Sequence, residues 1–79
     1  GVTPHYNAVA FSLSDFPIIS KRFSNEKEAI EWGKNKFKED EVGLVEINRV
    51  RPQVENPTLI DTVYRVNDTL CKRWYYICK

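Results

Sequence analysis

The sequence predicts an α+β fold: one helix packed on a mainly antiparallel sheet, in the element order β-β-α-β-β-β and arranged as two layers. Three observations predict it. Several short stretches alternate apolar and polar residues with period two, whereas only residues 25–40 repeat their apolar positions at helical spacing. A single helix covers only one face of such a sheet, which leaves the other wet or waiting for a partner.

The first strand spans residues 6–13, with Val9, Phe11 and Leu13 on one side and Tyr6, Ala8, Ala10 and Ser12 on the other. Ser14, Asp15, Phe16 and Pro17 supply turn chemistry, and residues 18–23 return as the second arm of a hairpin. Lys21 and Arg22 mark that arm as a sheet edge. Asn25 followed by Glu28 fits a capping box, and the acids of the first turns suit the positive end of the helix dipole. Ala29, Ile30, Gly33 and Phe37 then form one apolar stripe. Gly33 costs up to about 1 kcal/mol relative to Ala in mid-helix, so the backbone there must approach something closely, most simply the sheet. Trp32 falls on the flank of the stripe, where it either roofs a core edge or meets a partner.

Residues 42–50 form a third strand, with Val45 and Ile47 facing one way and Leu44, Glu46 and Asn48 the other. Arg51, Pro52, Asn56 and Pro57 break the pattern into a loop of about ten residues, long enough for partner contact. Residues 59–66 form a fourth strand, residues 67–69 a turn and residues 70–78 a fifth strand.

With 79 residues the chain is a single small domain, 1–79, in which residues 1–5 are expected to fray. A domain of this size buries only about 60% of its unfolded surface and has no room for a deep enclosed active site. Its 42% hydrophobic content is too high for a disordered chain. The net charge of +1 favours neither a generic polyanion binder nor an acidic nucleic-acid mimic. Residues 25–41 hold four Lys against six acids, a net of −2, and the remaining residues carry +3.

The chemistry-bearing residues argue against an enzyme. His5 is the single histidine and is expected at the surface of the frayed end, which removes any triad or two-histidine metal site that needs an ordered base. Cys71 and Cys78 lie seven apart in one expected strand, on opposite faces and about 23 Å apart along its axis, so they are expected to be free thiols. They lack the close ligand pairs of zinc modules, and no glycine-rich phosphate loop is present, so no metal and no cofactor is expected. Free thiols favour a reducing, cytoplasmic setting. No stretch reaches the length of a membrane span, and the chain begins with Gly1 and not Met, as a processed or a tagged chain would.

Two sets of residues remain as binding candidates. Trp32 is one. The other is the run Lys72, Arg73, Trp74, Tyr75 and Tyr76, to which Arg49, Arg51 and Arg65 would add on neighbouring strands. Such a basic and aromatic sheet face would stack bases and neutralise phosphates, although one set of these aromatics is more simply core.

The hairpin, then Lys21-Arg22-Phe23-Ser24 leading into Glu28-Ala29-Ile30-Glu31-Trp32 and on to Leu44-Val45-Glu46-Ile47, resembles the small host-takeover proteins of tailed bacteriophages. In layout it is similar to the phage antitoxins that block host ribonuclease toxins. The resemblance covers about half of the chain, and the long loop and last two strands have no counterpart in it. It implies a protein of the host-cell cytoplasm that occupies a partner's groove without chemistry of its own, with Trp32 as a contact.

The leading expectation is therefore a non-catalytic inhibitor or adaptor, such as a phage-type antitoxin or anti-host-defence protein, that blocks a protein partner such as a nuclease. Its alternative is an RNA- or DNA-binding module, and a homodimer through a sheet edge or face is a third reading.

Overall fold

The computed structural model describes residues 3–67. They form a four-stranded antiparallel sheet and one helix, an α+β domain, in the order β1 (His5–Ser12), β2 (Pro17–Phe23), α1 (Glu26–Phe37), β3 (Val42–Arg51) and β4 (Leu59–Asn67). The strands lie in the order β2-β1-β3-β4. Because β1 is antiparallel to both neighbours, β2 and β3 run parallel, and α1 carries the chain between them over β1. The expected fifth strand and both cysteines lie outside the described residues.

Register explains which side chains meet the helix. Tyr6, Ala8 and Ala10 of β1 stand opposite Arg49, Ile47 and Val45 of β3, and Tyr64 and Val66 of β4 continue those rows. Ala8, Ala29 and Ile47 form one fully buried cluster, and Ala10, Val42 and Val45 a second. Small residues on the central strand are what permit this packing. A Cβ added at Gly33 would lie 2.8 Å from Val45 Cγ1 and 3.1 Å from Ile47 Cδ1, so the mid-helix glycine sits directly on β3 as its sequence position predicts.

Three bulges adjust the faces. Ile18 in β2, Gly43 in β3 and Val63 in β4 are each the extra residue where the register shifts. The Gly43 bulge turns Val42 toward the helix-side core while Leu44 faces away with Phe11. The Val63 bulge lets both Val63 and Tyr64 pack against the Ala8, Ala29 and Ile47 cluster.

Local signals set the helix ends. Asn25 is extended, and its Oδ1 accepts from the Glu28 backbone N–H at 3.2 Å, the N-cap expected from sequence. The C-terminus differs from expectation: the helix stops at Phe37, not Asp40. The N–H groups of Lys38 and Glu39 donate to the carbonyls of Asn35 and Lys36, three residues back, and Val42 donates to Glu39. These tighter bonds wind the chain out of the α-helix. Glu39, Asp40 and Glu41 would also sit at the negative end of the dipole if the helix went on.

Two further expectations are corrected. His5 does not fray: it opens β1, pairs in register with Val50, is 7% exposed, and its Nδ1 lies 3.0 Å from the Thr3 carbonyl oxygen. Pairing along a central strand orders the end that sequence position alone makes look loose. The long connection is also shorter than expected, because Arg51 still pairs with Leu59, which leaves residues 52–58 between the strands.

The first hairpin closes on Ser12. The Ser14 and Phe16 N–H groups donate to Ser12 Oγ at 3.2 and 3.1 Å, and the Ser12 N–H donates to the Phe16 carbonyl at 2.7 Å. Asp15 adopts φ 67°, the left-handed conformation that a short polar side chain tolerates.

Candidate functional site

The residues expected to bind a partner do not converge. Trp32 is half-buried and packs against both core clusters, with its ring centroid 5.9 Å from that of Phe23 at 59°. Lys36 Nζ stands 5.8 Å from the indole centroid. Trp32 thus roofs the core beside the end of β2, with part of its ring at the surface.

The three arginines divide between the two faces of the sheet. Arg49 and Arg51 lie on the helix side, where Asp61 binds both. Arg49 Nε and Nη2 donate to Asp61 Oδ1 and Oδ2 at 3.3 and 2.7 Å, and Arg51 Nη2 lies 3.6 Å from Oδ1. The hydrogen bond from Arg49 holds the Asp61 carboxyl below its ordinary value, and the same bond raises Arg49. Arg65 is on the opposite face, its Nε 3.5 Å from Glu46 Oε2. Register decides this split, since Arg49 pairs with Asp61 and Arg65 with Glu46. The arginines therefore form no continuous basic surface, contrary to the sequence expectation. Lys72, Arg73 and Tyr75 lie outside the described residues.

The face turned away from α1 carries a polar chain. Asn48 Nδ2 donates to Glu46 Oε1 at 3.1 Å, and Thr62 Oγ1 donates to Asn48 Oδ1 at 2.8 Å. Together with the Arg65–Glu46 pair, these bonds link β3 and β4 across that surface. Two shallow, open depressions lie beside them along β1 and β2, one lined by Asn7, Val9, Ser20, Lys21 and Arg22 and the other by Val9, Pro17, Ile18, Ile19 and Ser20. Both follow β2.

The exposed apolar residues along that strand are what sequence reasoning passed over. Among the described residues β2 is a sheet edge, paired only with β1, and every residue but Phe23 is exposed. Phe16, Ile18 and Ile19 are 70%, 42% and 43% exposed, a run of large apolar groups rather than an isolated one. Ile19, Lys21 and Phe23 share the helix side, where Lys21 Nζ stands 5.3 Å from the Phe23 ring centroid and Phe23 meets Trp32. One strip therefore runs from the hairpin along β2 to the exposed part of the indole. The run Phe16-Pro17-Ile18-Ile19, leading into a strand that Lys21 and Arg22 already mark as an edge, was the available signal.

Val54, Leu59 and Ile60 are also exposed, at or beside the β3–β4 connection and so at the other end of the sheet, with Leu59 and Ile60 on opposite faces. Among the described residues no three His, Cys, Asp or Glu side chains stand together as a metal site would need, and no helix is long and apolar enough to cross a membrane. Compared with known protein families, with curated proteins and with solved structures, the chain matches none of them.

Proposed function

We propose that the protein is a non-catalytic binding protein, an inhibitor or adaptor that covers the surface of a protein partner such as a nuclease. The observation that carries this reading is the exposed apolar strip of Phe16, Ile18 and Ile19, continued by Phe23 and Trp32. Large apolar groups gathered on one edge gain most from burial against another protein.

On this reading the fold has the order β-β-α-β-β-β in two layers, and the protein acts in the cytoplasm. The likeness to phage antitoxins in the hairpin, the helix tryptophan and the following strand agrees with a protein that works by occupation.

The test is complex formation with a purified partner, first captured from a host lysate treated with nuclease. A protein complex survives the nuclease and loses little affinity between 50 and 200 mM salt, the range over which phosphate-mediated binding falls by about 10³-fold or more for six or more contacts. Loss of the complex on nuclease treatment, with a steep salt dependence, would overturn the proposal in favour of an RNA- or DNA-binding module.

A further inference from the structure

We infer that the outer edge of β2 is a strand-addition site for an extended segment of the partner that carries two consecutive acidic residues and, two positions on, two apolar ones. This rests on the protein-binding reading above and gives the partner its chemistry. An edge strand presents a row of backbone N–H and C=O groups without ladder partners, which an added strand satisfies. In β2 that row is accessible along Pro17–Phe23, and Pro17, which has no N–H to donate, stands at its start.

The side chains select what is added. Ile19 and Lys21 lie on the helix side and Ser20 and Arg22 on the other, so each face of the strand offers one cation. Among the described residues neither Lys21 nor Arg22 has a carboxylate partner, and no acid occurs in the sequence between Asp15 and Glu26. An antiparallel strand places adjacent residues opposite Arg22 and Lys21, then one opposite Ser20, then two opposite Ile19 and Ile18. Read from its N-terminus, the complementary segment is therefore acid, acid, any residue, apolar, apolar.

Charge also argues against a second copy of this chain as the occupant. A two-fold pairing centred on Ser20 brings the two Lys21 side chains to diagonal positions about 7–8 Å apart with no acid between them. Lysine on an edge blunts self-pairing, and here it also sets the sign of what pairs.

The test uses the full chain and a capped seven-residue peptide with Glu-Glu-Thr-Val-Val flanked by Thr, followed by amide chemical shifts. Binding is expected at millimolar peptide, with shifts centred on residues 17–23. The double variant Lys21→Glu with Arg22→Glu should weaken it about tenfold, as the loss of two exposed ion pairs implies, and a peptide with Lys in place of Glu should recover it. N-methylation of alternate peptide amides separates a ladder from simple charge attraction: of the two alternating patterns, only one should abolish binding. Equal binding of both patterns, equal binding of a shuffled peptide, or no shifts in β2 would overturn the inference. So would a concentration-dependent dimer that the charge-reversal variant abolishes. A partner complex that forms undiminished with the double variant would sink this site and leave the binding function itself standing.

Discussion

Gly33→Ala sets two opposed effects against each other at one atom. Replacing glycine by alanine inside a helix ordinarily stabilises by about 0.8–1.0 kcal/mol. Here the new methyl would lie 2.8 Å from Val45 Cγ1 and 3.1 Å from Ile47 Cδ1, against the roughly 3.5–4.0 Å of a relaxed carbon contact. Val45 is fully buried and β-branched, so it cannot swing aside freely, and the helix must lift instead. Overpacking of this kind costs about 1–3 kcal/mol. The net expectation is destabilisation by about 1 kcal/mol, a fall in melting temperature of about 4–8 °C for a domain this small. Urea unfolding followed by circular dichroism reads it directly. In a Val45→Ala background the 2.8 Å contact is gone and only the movable Ile47 Cδ1 tip at 3.1 Å remains, so Gly33→Ala should then stabilise by up to about 1 kcal/mol, a coupling of up to about 2 kcal/mol between the two sites. Gly33→Ala stabilising the unaltered protein, or additivity within about 0.5 kcal/mol, would refute close helix–sheet contact at this residue.

Other perturbations test separate parts of the structure. Trp32→Ala should cost about 2 kcal/mol, less than a fully buried tryptophan because part of the ring is at the surface, while Trp32→Phe retains most of the contact with Phe23; thermal melts of the two variants separate them. Asp15→Val should destabilise by about 1–2 kcal/mol because a β-branched residue resists φ 67°, whereas Asp15→Gly should stay within about 0.5 kcal/mol, as urea midpoints would register. Asp61 has a folded-state pKa below its ordinary 3.8, so its contribution to stability is present above that value and is lost as pH falls through the folded pKa. Stability measured from pH 5 downward should therefore decline less steeply in Asp61→Asn, and an unchanged slope would remove the Arg49 pair from the account of acid sensitivity.

How much of this was legible depended on whether the signal was local. The Asn25 cap, the alternation of β1 and the edge character of β2 are properties of a few neighbouring residues, and the structure has each of them. The glycine on the helix stripe predicted close contact because its cost requires a spatial reason. The helix end was misplaced since a lysine- and glutamate-rich tail has good intrinsic propensity, while dipole and tight turn bonds end it three residues sooner. The arginines were misgrouped for a different reason. Arg49 and Arg51 share a face by simple alternation, but placing Arg65 requires the β3–β4 register, which depends on a bulge at Val63 that no local pattern announces. The exposed apolar run on that edge was missed because Ile18 and Ile19 read only as β-formers until the sheet order leaves β2 outermost among the described strands.

The strand order has a consequence for how the chain reaches this state. Hairpins β1–β2 and β3–β4 close over short connections, and among the described strands only the β1–β3 seam joins residues far apart in sequence, as His5 with Val50. Loop-closure entropy must be met before that seam returns any contact energy, so its formation sets the folding rate. Ala8 and Ile47 lie on the seam under α1, and truncating Ile47 should slow folding. Changes confined to the outer strand β2 should act mainly on the rate of unfolding, which leaves the strand free to diverge in sequence without impeding assembly of the domain.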